Sequence, residues 1–198
     1  MKALSLWEPW ATLFALGIKG PETRSWSTNY RGPMAIAAAK TMRGIDELPG
    51  DCEGKTEAGW RYGYLGEFQA GWCYRTSDEG RRGSTFLVRL SRPEDAFEVE
   101  LAPGMLVATA ALVDCVPTER IAWDEGADAD AERPWMALLG DAVVVLPATF
   151  RAYGDYSPGR FAWLFAEVRP APKGIAVRGR QGLWEWEWPE LAPSDVTP

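Results

Sequence analysis

Residues 17–26 read "GIKGPETRSW". The run before them, "EPWATLFALG" (8–17), places Trp10, Leu13 and Phe14 on one stripe at i, i+3 and i+4. Pro9 suits a first helical turn and Gly17 a C-terminal stop, so the pattern predicts a helix over 8–17. A turn carrying Lys19 follows, and "ETRSW" (22–26) reads as extended. On an extended chain Glu22, Arg24 and Trp26 share one face, with Thr23 and Ser25 on the other. That face offers a carboxylate, a guanidinium and an indole side by side, with an ammonium next to them. A nucleobase calls for such a set. A flat ring or guanidinium stacks on the base, a carboxylate accepts from an exocyclic amine, and Lys or Arg holds a phosphate or carbonyl oxygen. The same residues also fit a solvated turn, with Glu22 and Arg24 as a surface ion pair worth about 0–1 kcal/mol and Trp26 in the core. Spacing alone leaves both readings open.

Working outward, "MKALSLW" (1–7) reads as a short strand with Leu4 and Leu6 on one face, and "YRGPMAIAAAK" (30–40) as a turn followed by an apolar strand. "TMRGIDEL" (41–48) reads as a short helix. Residues 49–84 are rich in Gly, Trp and Tyr and hold no sustained period of 2 or 3.6. They read as irregular, the character of a functional loop or insertion. "TFLVRLSR" (85–92), "GMLVATAALVDCV" (104–116), "AVVVLPATF" (142–150) and the end of 154–170 are strand-like, and "PWMALLGD" (134–141) is a helical turn. Near the end, Trp184, Trp186 and Trp188 alternate with Glu185 and Glu187, the period-2 mark of a half-buried strand. Several strands with two or three helices and no βαβ rhythm predict an α+β fold around a small mixed barrel.

Composition excludes whole classes of chemistry. The 198 residues contain no histidine, which removes Ser-His-Asp and Cys-His catalysis and HExxH zinc sites together. The three cysteines, Cys52, Cys73 and Cys115, form no CxxC pair, so neither a disulfide framework nor a structural zinc is expected. No metal or cofactor is expected. A net charge of −7 argues against gripping long duplexes by counterion release, yet leaves room for a local positive pocket. No apolar run approaches the roughly 20 residues of a membrane span, and the N-terminus lacks a signal-peptide pattern. The expectation is a cytoplasmic protein without a membrane partner.

Other clusters add candidates. "LWEPW" (6–10) sets Trp7 and Trp10 around Pro9 at a helix start, either as anchors in the core or as walls of a site. "NYRGP" (29–33) puts Tyr30 and Arg31 at a turn that Gly32-Pro33 already explains. "VRGRQGLW" (177–184) carries Arg178, Arg180 and Gln181 between glycines that permit close backbone approach. The 11 tryptophans are mostly core material by their area, and their excess favours a site built from flat rings.

These pieces together resemble the ASCH domain family. The signature G-x-K-x-x-E-x-R falls on Gly17, Lys19, Glu22 and Arg24, flanked by "LSLWEPWATLFALGIK" and "RSWSTNYRGPMAIAAAK", with "GMLVATAALVDC", "GDYSPGRFAWLF" and "VRGRQGLWEW" matching later strands. The resemblance covers roughly 1–45 and 103–188. It implies a PUA-like mixed β-barrel with flanking helices, as one domain over 1–190, an insertion at 49–100 and a frayed tail at 191–198. It also implies a cleft at the signature that binds RNA or a modified nucleoside or nucleotide, with Trp7, Pro9, Trp10, Lys19, Glu22, Arg24, Trp26, Tyr30, Arg31, Arg178, Arg180 and Gln181 as its candidate residues. Some members are amidohydrolases that remove an acyl group from the exocyclic amine of modified cytidine with a Lys, a Thr and a Glu. Their Lys falls on Lys19; their Thr position is Glu22 here, with Thr23 one place on. An enzyme of that kind would draw on Lys19, Glu22 and Thr23. The aromatic insertion, in turn, admits a protein partner.

Overall fold

The computed structural model describes residues 1–40, 54–55, 61–65, 70–76, 84–89, 96–126 and 143–189. Strand β1 (Lys2–Leu6) leads into helix α1 (Trp10–Ala15), then the short β2 (Glu22–Arg24) and β3 (Gly32–Ala38). Gly17, at φ +74°, ends the helix as its position predicts. Five strands follow: β4 (Gly54–Lys55), β5 (Arg61–Leu65), β6 (Ala70–Thr76), β7 (Ser84–Arg89) and β8 (Ala96–Glu100). The rest comprises β9 (Leu106–Pro117), β10 (Ile121–Asp124), β11 (Val144–Pro147), β12 (Phe161–Pro170) and β13 (Leu183–Glu185).

One six-stranded sheet, in the order β13-β1-β3-β9-β12-β2, carries the architecture. It is mixed: β1 and β3 run parallel, with α1 in the connection between them, and the other pairings are antiparallel. Bulges bend β12 at Leu164/Phe165 and Ala166/Arg169, and Glu167 sits in the second at φ +51°. Bulges of this kind curl a sheet. The curl brings β2, at one edge, back toward β1, where Arg24 Nη2 donates to Ser5 O at 3.0 Å. A side chain, not a backbone ladder, bridges this seam of a half-barrel. The α+β, barrel-like architecture expected of the sequence is the one observed.

Side-chain size explains how "MAIAAA" (34–39) serves two faces. Leu4, Leu6, Met34 and Ile36 pack with Phe14 of α1 and Trp163 in one core cluster. Ala3, Ala35 and Ala37 face the other way, against Ile175, Val177, Trp184 and Trp186. Small residues there leave room for two indoles. Burying each large aliphatic or Phe side chain contributes about 1.5–3 kcal/mol. The tryptophan alternation is half kept: Trp184 and Trp186 are buried, but β13 ends at Glu185 and Trp188 is exposed. Trp188 meets Trp186 edge-on with centroids 4.8 Å apart, so it leans on the cluster without entering it.

Within the segment read as irregular, 49–84, lie the strands β4, β5 and β6, whereas the strand expected at 85–92 is present as β7. Strands β4 to β8 form an antiparallel meander, each paired with the next. Period-2 patterning appears only where one strand face is buried and the other wet; a stretch mixing Gly with Trp and Tyr can form ladders without it. The helix expected at 41–48, the turn at 134–141 and the tail at 191–198 lie outside the described residues.

Helix α1 spans only six residues and would be marginal alone. Buried Glu8 secures it. Its carboxylate accepts from Thr12 N at 3.1 Å, Thr12 Oγ1 at 2.8 Å and Ala102 N at 2.9 Å. The last bond ties the helix start to the chain leading into β9. Burial pushes the Glu8 carboxyl above its usual range, against the three hydrogen bonds, which pull it down. The folded state therefore holds this proton more tightly than the unfolded chain does, and the Glu8 contribution to stability falls as pH rises from about 4.5. Glu8→Gln would set an amide NH₂ against one of two backbone N–H donors. It should cost about 1 kcal/mol at pH 7 and remove that part of the pH slope in urea titrations between pH 4 and 7, the span chosen to bracket the carboxyl range.

Candidate functional site

A cavity of about 550 Å³ opens at the seam between β1 and β2. Ser5 and Leu6 line it from β1, residues 22–26 from β2 and its continuation, and Trp7 and Trp10 from the approach to α1. The far wall is the stretch between β11 and β12, with Arg151, Tyr153, Gly154, Asp155 and Arg160. Of the expected residues, Trp7, Trp10, Lys19, Glu22, Thr23, Arg24 and Trp26 come together here.

The turn is not solvated. Lys19 is 4% exposed and Glu22 9%. Lys19 Nζ lies 3.0 Å from Glu22 Oε2 and donates to Pro21 O at 2.8 Å and Tyr153 O at 3.0 Å. An ammonium has three N–H groups, and here three acceptors meet them. Glu22 Oε1 lies 3.0 Å from Arg24 Nε. The carboxylate sits between two cations, one beside each oxygen; the contact with buried Arg24 Nε is an ion pair without an aligned hydrogen bond. A carboxylate offers about four acceptor positions, so it can still take a donor from a ligand.

The rest of the strand is fixed to the far wall. Thr23 Oγ1 accepts from Asp155 N at 3.0 Å, and β2 pairs with β12 through Arg24↔Phe161 and Glu22↔Trp163. Gly154 passes so near Thr23 that an added Cβ would lie 3.1 Å from Thr23 Cγ2. Trp26 stands edge-on to buried Trp163 at 4.7 Å between centroids, and Trp163 Nε1 donates to Trp26 O at 3.3 Å. Trp7, in contrast, is 40% exposed. Burial pushes the Tyr153 phenol up to about 12. It also raises the Tyr156 phenol, with the Glu22 charge pushing the same way. Both stay neutral at physiological pH.

Six expected residues lie elsewhere. Pro9 is buried beneath the helix start. Arg31 is engaged by Asp114 at 2.6 Å and by the Thr28 and Tyr30 carbonyls, while the Tyr30 hydroxyl donates to Pro33 O. These contacts fasten the turn into β3 and leave neither side chain on the cavity. Arg178, Arg180 and Gln181 are exposed on the loop before β13. That loop reaches the seam by its backbone: Arg180 N donates to Ser5 Oγ at 3.1 Å, and an added Cβ at Gly179 would lie 2.7 Å from the same oxygen. The close approach expected of the glycine is real, but its object is Ser5. Sequence reasoning missed Ser5, Arg151, Tyr153, Asp155 and Arg160. The strand-like readings of 142–150 and of the end of 154–170 gave no sign that the stretch joining them faces β2.

Among the described residues no group of His, Cys, Asp or Glu is arranged to hold a metal, and no helix is long and apolar enough to cross a membrane. No curated protein matches the chain. A family model does, over residues 4–171, from β1 through both sides of the seam to the end of β12. It is the model of the ASCH domain, which is PUA-like and generally RNA-binding. The match runs over well more than half of the 198 residues, and the chain belongs to the ASCH domain family.

Proposed function

We propose that the seam cavity binds one base of a single-stranded RNA or of a modified nucleotide. The observation that carries this reading is the Glu22 carboxylate held between Lys19 and Arg24 at a cavity walled by Trp7, Trp10 and Trp26. Glu22 accepts from an exocyclic amine, Arg24 donates to a ring carbonyl, and an indole supplies the stacking plane. Lys19 holds Glu22 in place. The same reading puts the protein in the cytoplasm, as one unit over 1–190 with 49–100 inserted and 191–198 trailing. A protein partner for the insertion rests on its composition alone.

The test is to titrate single-stranded oligoribonucleotides and free ribonucleosides, modified ones included, while following tryptophan fluorescence. Saturable quenching is expected. Trp7→Ala should weaken binding about tenfold, the lower part of the range for base–aromatic stacking. Arg24→Gln should shift preference among bases more than it shifts stability. Silence toward every ligand at millimolar concentration, or affinities untouched by both substitutions, would overturn the proposal.

A further inference from the structure

Two guanidiniums on the cavity wall take no part in reading a base. Arg151 comes from the 3₁₀ turn Ala148–Tyr153, and Arg160 stands one residue before β12. Each is paired with an exposed carboxylate. Arg151 Nη2 lies 3.2 Å from Glu125 Oε1, and Arg160 Nε lies 3.2 Å from Asp155 Oδ2 and donates to Asp155 O at 3.1 Å. Guanidinium carries five N–H donors. Among the described residues, these bonds leave both amino groups of Arg160, and Nη1 and Nε of Arg151, without a partner.

The two pairs differ in kind from the buried one. Lys19 and Glu22 satisfy each other out of solvent. The outer pairs are open to water, where an ion pair is readily exchanged for a better anion. Both arginines are nevertheless held in position. Arg151 lies over the Trp123 ring at 4.8 Å. Asp155, which holds Arg160, is itself bound to Ser157 N and Oγ and, through its backbone N–H, to Thr23. The Ser157 bonds keep the Asp155 carboxyl below its usual range. Four cations (Lys19, Arg24, Arg151 and Arg160) line the cavity against two carboxylates, Glu22 and Asp155. The chain as a whole carries −7, so this wall is of the opposite sign to the molecule. Glu125, the partner of Arg151, is not part of the lining; with it counted, four cations face three carboxylates and the cleft keeps a positive surplus.

We propose that Arg151 and Arg160 form a phosphate subsite at the outer end of the cleft, taking the phosphate attached to the nucleoside whose base enters at Glu22. The inference rests on the base-binding reading for the ligand's other half, and stands on the arginine geometry for its own. Guanidinium matches phosphate in shape and charge, and two on one wall favour a dianionic group over a carboxylate.

The experiment compares ribonucleosides, their 5′- and 3′-monophosphates, a short single-stranded oligoribonucleotide and inorganic phosphate, at constant ionic strength with chloride as control. The wild type should bind a monophosphate about tenfold more tightly than its nucleoside, and inorganic phosphate should compete with it. Arg151→Gln with Arg160→Gln should bring the monophosphate down to the nucleoside's affinity and leave the nucleoside's own within about twofold, a difference too small for a lost charge-assisted bond. An unchanged urea midpoint shows that the doubly substituted protein is folded. An oligoribonucleotide that exceeds every mononucleotide assigns the phosphate to an RNA backbone; parity assigns it to a free nucleotide. If phosphate, free or esterified, adds nothing over chloride, or if its gain survives both substitutions, the subsite is refuted. Nucleosides that stay silent while phosphate binding depends on both arginines would instead refute base reading and uphold the subsite.

Discussion

Replacing Lys19 with methionine should destabilise the protein by about 3 kcal/mol, read as a fall in the urea midpoint at unchanged slope. The substitution keeps the side chain out to Cε, with sulfur in place of Cδ, and removes the ammonium. Three acceptors, Glu22 Oε2, Pro21 O and Tyr153 O, then lose their donor at once. Breaking a buried pair from one side costs about 3–5 kcal/mol, because the other charge stays buried without compensation. Arg24 Nε, 3.0 Å from the other Glu22 oxygen, remains and holds the cost to the lower end of that range. Lys19→Met combined with Glu22→Leu should recover part of the loss: the buried carboxylate goes with its ammonium, and the cation left without its carboxylate, Arg24, is partly exposed and keeps its bond to Ser5 O. By contrast, Lys2, whose partner Glu185 is at the surface, should be replaceable with little effect. A small loss for Lys19→Met, or a double substitution worse than the sum of the two, would mean that the pair is not the anchor its burial indicates. Ligand binding should weaken together with stability, because Glu22 would be held from the Arg24 side alone.

Gly20→Ala should cost about 3 kcal/mol, at the upper end for overpacking. An alanine Cβ there would lie 2.3 Å from Phe150 Cδ2, 2.6 Å from Cε2 and 2.7 Å from Cγ. Phe150 is 1% exposed, so its ring has no solvent to move into. It belongs to the 3₁₀ turn whose last residue, Tyr153, presents its carbonyl to Lys19. The clash therefore reaches the site as well as the core. Shrinking the ring with Phe150→Leu in the Gly20→Ala background should return part of the stability, and a double-mutant cycle would report the coupling. A loss below about 0.5 kcal/mol, the range of ordinary surface changes, would show that the ring gives way freely.

The two residues are adjacent in "GIKGPETRSW", and the reasons for their importance, Tyr153 and Phe150, come from the far side of the fold. Nothing local marks Lys19 as buried. A lysine between two glycines after a helix stop is what a solvated turn looks like. Its burial comes from Tyr153 and Phe150, which β11 and the following turn bring over it. The arginines of the far wall were invisible for the same reason. Arg151 and Arg160 stand in unremarkable sequence, and their meaning comes from the pairing of β2 with β12. Conversely, Tyr30 and Arg31 looked promising because they adjoin the motif, yet their hydrogen-bonding capacity goes to the turn and to Asp114.

What the sequence by itself determined is local or additive. The apolar stripe of 8–17, the glycine stop at 17, the long apolar strands near 32–38, 106–117 and 161–170, and the lack of histidine all follow from residue type and spacing, as does the G-x-K-x-x-E-x-R signature. Only the tertiary structure decided that the sheet curls until Arg24 reaches Ser5, that Glu22 is gripped between two cations rather than solvated, and that 148–160 completes the cleft. Those outcomes depend on contacts between residues far apart in the chain. Such contacts form only once bulged strands have bent the sheet, and neither periodicity nor composition records which distant segment will meet which.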